Sequence, residues 1–179
     1  MTKFARQAID AGGDIVVAQG CHGPFRGIEI YNGKPIFYDP GDFLMTSNAI
    51  PHYPREYYTR HSAKLAVPTE EALPIDGIKA SHGYHIPVAP VGGYFGEWES
   101  SGAVMMLDYQ HGKLAGIELH PFCREANTGE PADFPAVLAG LPLKPTIAHA
   151  EEILRKFVEL SNPFGTAIRI EGGVGYIAL

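Results

Sequence analysis

The stretch DIVVAQGCHGPFRGIEIYNGKPIFYDPGDF, residues 14–43, decides the fold that this sequence predicts. It begins with residues 14–18, a short and mostly apolar run rich in β-branched side chains, which is typical of a strand buried on both faces. Residues 19–26 follow as a loop with two glycines and a proline. Since sites in α/β sheets lie at the carboxyl ends of parallel strands, this loop is where we expect a functional site.

The second half of the stretch predicts a β-hairpin. Segments 27–31 and 34–38 flank Asn32-Gly33, a dipeptide that tolerates positive φ at both of its positions. Pro35 lies near the start of the second strand, where the loss of a backbone donor costs least. We therefore expect a two-residue turn at Asn32-Gly33 and an antiparallel pair on either side of it.

A short helix is predicted before the buried strand. Thr2 can cap it, Gly12-Gly13 ends it, and an apolar stripe at helical spacing runs through Phe4, Ala5, Ala8 and Ile9. A helix, two glycines and a buried strand form the second half of a β–α–β unit. The first strand of that unit is not in the sequence, so we expect the chain to start within a larger β–α–β arrangement.

Further elements follow along the chain. Two more hairpins are predicted, one from strands 103–109 and 114–120 turning at His111-Gly112, and one at the end of the chain turning at Gly172-Gly173. Helices are predicted at 53–64, at 133–140 and from the cap Thr146 to about Ser161, the last with ion pairs Glu151/Arg155 and Glu152/Lys156. The fold class is therefore α/β: one buried parallel strand, hairpins that extend or pack on its sheet, and flanking helices.

Composition bounds the class of protein. The 179 residues suit a single domain, 1–179, and residues 65–100 form a Gly- and Pro-rich insertion within it. The 45% hydrophobic content excludes a disordered chain, and the net charge of −6 without a basic patch gives no support to nucleic-acid binding. No signal peptide or membrane-spanning stretch is present, so the expected location is the cytoplasm by default.

The loop over residues 19–26 carries the first candidate site. Cys21 and His22 stand side by side between Gly20 and Gly23, and a thiolate and an imidazole are both good ligands for a transition metal. An adjacent Cys-His pair is not a specific ligand pattern, however. The alternative is a tight turn with a surface histidine and a packed cysteine, and from spacing alone we favour that alternative.

Other chemistry-bearing residues have equally plain alternatives. Asp39 and Asp42 bracket Pro40-Gly41 and can hold a metal, although aspartate in such a turn more often makes local hydrogen bonds. Several other groups permit a ligand site, although side chains of these kinds are more often solvated or packed. These groups are His82 with His85, Glu97 with Glu99, His52 and His61 with Arg55 and Arg60, and the aromatic side chains Tyr94, Phe95 and Trp98. No P-loop, dinucleotide fingerprint, nucleophile elbow or HExxH motif is present.

The run from residue 14 to residue 43, and above all GIEIYNGKPIFY, resembles the CapA-type family of bacterial capsule-synthesis proteins, also called poly-γ-glutamate biosynthesis proteins. The tail from Glu151, with LSNPFGT and the last hairpin, is similar to the end of the same family. The resemblance implies a calcineurin-like metallophosphoesterase α/β sandwich, of which this chain matches the C-terminal part. Two family positions differ: Phe25 replaces a second histidine, and Asp42 replaces an asparagine.

The resemblance also implies a site. His22 is expected to be a metal ligand with Cys21 beside it, Asp42 and Arg26 are expected to be catalytic neighbours, and the cofactor is a divalent metal (Mn, Zn or Fe) whose site is incomplete in this chain alone. Such a metal activates water or polarises an oxygen of the substrate. The implied substrate is a small molecule or γ-glutamyl compound, either poly-γ-glutamate or a capsule-related amide.

Two readings of the function remain open. In the first, the chain is the C-terminal part or a subunit of a metal-dependent hydrolase or amide-bond enzyme; in the second, it is a non-catalytic binding or structural module derived from that family. A buried strand without its β–α–β partner predicts an interface that involves Phe4, Ala8 and the edge beside residues 14–18. We expect the occupant to be a second copy of the chain or an N-terminal partner polypeptide.

Overall fold

The computed structural model describes residues 1–20, 25–44, 53–73, 76–77, 80, 101–124 and 141–179. In these residues the chain is a mixed α/β fold with two β-sheets. Its helices are α1 (Thr2–Asp10), α2 (Arg55–Arg60) and α3 (Ile147–Ser161), and its strands are β1 (Val16–Val17), β2 (Ile28–Tyr31), β3 (Lys34–Phe37), β4 (Ser101–Gln110), β5 (Lys113–Cys123), β6 (Arg169–Glu171) and β7 (Val174–Ala178). The predicted helix at 133–140 lies outside the described residues, as does most of the 65–100 insertion.

The first sheet has three strands in the order β1-β3-β2. Strand β1 runs parallel to β3, with Val16 opposite Ile36 and Val17 opposite Phe37. Strands β2 and β3 are antiparallel, and their turn places Asn32 at φ 52° and Gly33 at φ 71°. Positive φ at both central residues defines the turn that suits the strand twist, so the predicted hairpin is confirmed.

The second sheet is antiparallel, in the order β4-β5-β7-β6. The two remaining predicted hairpins therefore join each other through the pairing of β5 with β7, instead of extending the first sheet. The turn between β4 and β5 again has positive φ, at His111 and Gly112. Both sheets contribute to one apolar core with α3, which contains Phe25, Ile28, Phe37, Ala103, Ile117, Leu119, Ile153, Leu154, Phe157, Ile168 and Ile177.

Helix α3 begins and ends where its sequence signals indicate. The Thr146 hydroxyl accepts a hydrogen bond from the backbone N–H of His149, which satisfies one of the free donors of the first turn. Of the two predicted ion pairs, Glu151–Arg155 is present at 3.1 Å. The second prediction is wrong, because Lys156 pairs with Glu159.

Helix α1 covers the other face of the first sheet. Its buried side chains Ala5 and Ile9 pack with Ile36 and Tyr38 in a second small core. Thr2 is the first residue of the helix and not its cap, since Met1 takes the capping position without a side-chain bond. A polar contact reinforces this packing: the buried carboxylate of Glu29 accepts from the Arg6 guanidinium at 2.6 Å and from the Tyr38 hydroxyl at 2.6 Å.

The contact with Glu29 also changes the pKa of Tyr38. Burial, and after it the hydrogen bond that the phenol donates to Glu29, raise the pKa of the Tyr38 phenol to about 12. The phenol therefore stays protonated, and stays a donor, throughout the physiological range. The Arg6–Glu29–Tyr38 contact thus holds α1 on the hairpin with a fixed pattern of donors and acceptor.

The prediction that strand 14–18 is buried on both faces is wrong. Val16 is half-buried against α1, but Ile15 is 43% and Val17 61% exposed. The reason is that β1 is an edge strand of the described sheet, and that Ile15 and Val17 line an open groove. A short continuous apolar run thus marks this strand correctly, while its burial depends on neighbours that the described residues do not supply.

Candidate functional site

The chain segments that follow β1 and β3 leave the sheet at the same end, the carboxyl end of both strands, because the two strands are parallel. The Ala18 N–H donates to the Phe37 carbonyl at 2.8 Å, which continues the pairing past the end of β1. Farther along, the Arg26 N–H donates to the Asp39 carbonyl at 2.7 Å. We call the group formed by Arg26, Asp39 and Asp42 at this carboxyl end of the sheet the candidate site.

Asp39 organises the turn in the candidate site. Its side chain is buried, and its Oδ1 accepts a hydrogen bond from the Gly41 N–H at 3.0 Å. This is the local bonding by which aspartate stabilises a turn, and the role favoured from the sequence is confirmed. The carboxylate is therefore already engaged by the backbone.

The turn is also tied to the second sheet. The Pro40 carbonyl accepts from the Ala103 N–H at 3.1 Å. Gly41 has φ 95°, and a Cβ atom at this position would lie 2.7 Å from the Ser101 carbonyl oxygen. Only glycine fits both the positive φ and the close approach of the two backbones. The candidate site thus lies where the two sheets meet.

The predicted site residues fall into two groups. Arg26 is exposed and Asp42 partly exposed, and the pairing of the Arg26 and Asp39 backbones brings their segments together. Cys21 and His22 lie outside the described residues, so their place relative to Asp42 stays a prediction. Within the described ranges, no three His, Cys, Asp or Glu side chains come close enough to hold a metal ion. The described donors therefore do not by themselves make up the metal site that the resemblance implies.

The remaining histidine candidates give no site in the described part of the chain. His52, His82 and His85 lie outside it, together with the aromatic group at residues 94–98 and both downstream glutamates. His61 packs its ring against Tyr57, with 5.2 Å between ring centroids. His120 contacts the Glu118 carboxylate at 2.9 Å.

An apolar groove of about 460 Å³ lies beside the candidate site. Its walls include Val17 of β1 and Ile15 just before this strand, Phe37 and Phe43 from around the turn, and Val104 and Met105 from β4. The sequence does not predict this groove, because its walls come from two sheets that meet only in the tertiary structure. The signal that the sequence offers is the apolar run at 14–18, which predicts a buried strand and not a groove wall.

No helix among the residues described in the structure combines the length and the apolar character needed to span a membrane.

Comparison with known proteins gives a family match over one part of the chain. Residues 1–47 match the family model described as bacterial capsule synthesis protein PGA_cap. Two proteins of Sinorhizobium fredii (strain NBRC 101917 / NGR234), the uncharacterized proteins y4sH and y4uA, are each 32% identical over 181 residues. These alignments cover 98% of this chain and 36% of each relative, so the chain spans about a third of the length of the curated relatives that it matches.

The family match covers α1, β1, the hairpin and the turn that follows it. The matched residues therefore contain the whole candidate site, together with Cys21 and His22. Residues 1–47 of this chain are similar to bacterial capsule synthesis proteins, which supports a function related to capsule synthesis.

Proposed function

We propose that this chain works in capsule synthesis as the C-terminal part, or a subunit, of a CapA-like metal-dependent enzyme that acts on poly-γ-glutamate or a related capsule amide. The proposal is supported by one coincidence. The region that matches the capsule synthesis family contains the loop after β1 and the turn after β3, whose backbones meet at the carboxyl ends of two parallel strands. Ligands of α/β sheets bind at such edges.

Arg26 is the proposed contact for the substrate. Every residue of γ-linked glutamate keeps a free α-carboxylate, so the polymer is a regular polyanion. The guanidinium of arginine matches a carboxylate with two parallel hydrogen bonds. Arg26 is exposed, and its backbone N–H is bonded to the Asp39 carbonyl, so its side chain starts from a fixed point next to the turn that carries Asp42 in sequence. In this proposal Asp42 accepts a hydrogen bond or a proton from the substrate.

We expect the Arg26→Gln substitution to weaken the binding of a γ-linked glutamate oligomer by about tenfold, because it removes a charge-assisted pair with a carboxylate. Isothermal titration calorimetry at fixed ionic strength measures this. Arg155→Gln is the matched control, since Arg155 is an exposed arginine on α3 that pairs only within its own helix as described. Equal affinity of Arg26→Gln and wild type would remove Arg26 from the site.

Cys21 and His22 are the proposed metal ligands of this chain. Because the described residues add no group of three ligand side chains, we propose that the other ligands come from a different polypeptide segment. The isolated chain is then expected to bind Zn²⁺ or Mn²⁺ only weakly.

His22→Ala is expected to lower that metal affinity about tenfold or more, since even the loss of a residue that supports a ligand has an effect of this size. Metal titration of the purified protein tests it, with His120→Ala as the control because His120 is a half-exposed histidine that contacts Glu118. Tight, stoichiometric binding that survives His22→Ala would show that His22 is not a ligand.

The alternative is a non-catalytic binding module derived from the same family. The apolar groove with exposed Ile15 and Val17 favours this alternative, because a large exposed apolar patch marks a binding surface. One observation distinguishes the two functions. If the chain is part of an enzyme, adding the metal and the polypeptide segment that carries the other ligands produces hydrolysis of the γ-glutamyl oligomer. If the chain is a binding module, no hydrolysis follows.

A further inference from the structure

Strand β1 offers an open edge to a further strand. Its described neighbour is β3 alone, and the Ala18 N–H points to β3, where it bonds to the Phe37 carbonyl at 2.8 Å. Because the peptide groups of a strand alternate in direction, the N–H and C=O of Val17 point the other way. An edge of this kind is a template for pairing with another chain, and native proteins cover it.

The side chains beside this edge favour an apolar occupant. Ile15 and Val17 lie on the face of β1 that opens into the groove, opposite Val104 and Met105 of β4. The described part of the groove wall carries no charged side chain. A strand that paired with β1 would therefore bury its own apolar side chains in this groove, with the main chain supplying affinity and the groove supplying selectivity.

The direction of the occupant follows from α1. This helix packs on the sheet through Ala5 and Ile9 and leads directly into β1, as the helix of a β–α–β unit does. Strands joined by such a unit are parallel, with a right-handed crossover. The carboxyl end of a strand parallel to β1 lies beside the carboxyl ends of β1 and β3. The candidate site lies at these carboxyl ends.

We propose that the open edge of β1 receives an apolar parallel strand from the part of a capsule-synthesis polypeptide that lies outside the region matched by this chain, and that the residues after this strand complete the candidate site. The length of the relatives supports this occupant: the alignment covers 36% of each, so both carry a long further stretch of polypeptide. The inference rests on the proposed function for the nature of the site, while the pairing itself rests on the geometry of β1.

The test compares two proteins: the chain by itself, and the y4sH protein with its matching region replaced by this chain. The exchange rate of the Val17 amide hydrogen is measured by NMR in both, with the mass of each from light scattering. We expect exchange at least about tenfold slower in the chimaera than in the chain alone, because the amide becomes hydrogen-bonded there. Equal rates in the two proteins would overturn the proposal.

Slow exchange in the chain alone would also overturn it, and the mass then identifies the occupant. A dimer would assign the edge to a second copy, and a monomer would assign it to another segment of the same chain. These readouts involve neither metal nor a γ-glutamyl oligomer. Failure of the Arg26 or His22 predictions therefore leaves this result standing, and the reverse also holds.

A substitution provides an independent check. Val17→Lys is expected to lower the melting temperature of the chimaera by about 4 °C or more and to leave that of the isolated chain within about 1 °C. Leu73→Lys is the matched control, because Leu73 is 62% exposed and Val17 is 61% exposed. If Val17→Lys has the same small effect in both proteins, no strand covers β1 and the proposal is wrong.

Discussion

Replacing Phe157 with alanine is expected to lower the free energy of unfolding by about 3–5 kcal/mol, the range measured for aromatic residues truncated in a core. Phe157 is fully buried in the C-terminal half of α3, and its ring stacks on that of Phe25 with 3.9 Å between centroids. The substitution removes the apolar contact and leaves a cavity between α3 and the segment before β2. Because domains of this size are stable by about 5–15 kcal/mol, the loss is a large fraction of the total.

Urea denaturation followed by circular dichroism measures the change. Phe157→Leu keeps most of the volume and is expected to cost less than half as much. Ile147→Ala is the control on the same helix, because Ile147 is exposed and its truncation should stay within about 0.5 kcal/mol of wild type. A loss below about 1 kcal/mol for Phe157→Ala would show that the Phe25–Phe157 stack is not part of the stabilising core. Phe157 packs on Phe25, and Phe25 directly precedes Arg26. The same variant therefore also tests whether this packing contributes to the position of Arg26.

Gly27→Ala is expected to be about as damaging, at about 3 kcal/mol or more, for a different reason. A Cβ atom on Gly27 would lie 2.1 Å from the carbonyl oxygen of Leu160 and 2.7 Å from its carbonyl carbon. Both obstacles are backbone atoms near the end of α3, so no side-chain rotation relieves the overlap. The hydrogen bond from the Ile28 N–H to the Ser161 Oγ, at 3.0 Å, holds the same two segments together. Accommodating one methyl group requires α3 to move away from the hairpin. We expect this movement to cost more free energy than overpacking usually does.

Gly116→Ala is the matched control for this substitution. Gly116 lies in β5, and a Cβ atom there would meet the Ile177 carbonyl oxygen at 3.5 Å, an ordinary contact. It should be neutral, or stabilising by up to about 1 kcal/mol through the reduced freedom of the unfolded chain. Thermal unfolding of the two variants and the wild type decides the comparison. Equal melting temperatures of Gly27→Ala and Gly116→Ala would contradict the close approach of α3 and the hairpin.

The hairpins and the long helix follow from the sequence because their signals are local. Asn32-Gly33 and His111-Gly112 both adopt positive φ, a conformation that few residue pairs reach easily. Thr146 caps α3 with its own hydroxyl, three residues from the N–H that it satisfies. Each of these outcomes depends on residues within one turn of each other, so it can be predicted without knowing what else packs nearby. The turn role of Asp39 is local in the same way.

Part of the candidate site also follows from the sequence. The loop after an apolar strand points to the Cys21-His22 pair, and the turn after the hairpin points to Asp39 and Asp42, whereas Arg26 is a candidate only through the resemblance to the CapA-type family. The hydrogen bond between the Arg26 and Asp39 backbones then joins the loop and the turn. The attachment of that turn to β4 at Ala103, however, has no signal in the neighbouring sequence.

Tertiary structure alone decided the exposure of β1, the Arg6–Glu29–Tyr38 contact and the apolar groove. The run Ile15–Val17 has the composition of a buried strand, but burial is set by what lies beside and above a strand, and β1 lies at an edge. Glu29 resembles a surface residue in an alternating hairpin, yet it is buried because α1 brings Arg6 against it. Capping, turn conformation and periodicity act over a few residues, whereas burial and ion pairing depend on segments far apart in the chain, and only the folded arrangement brings those together.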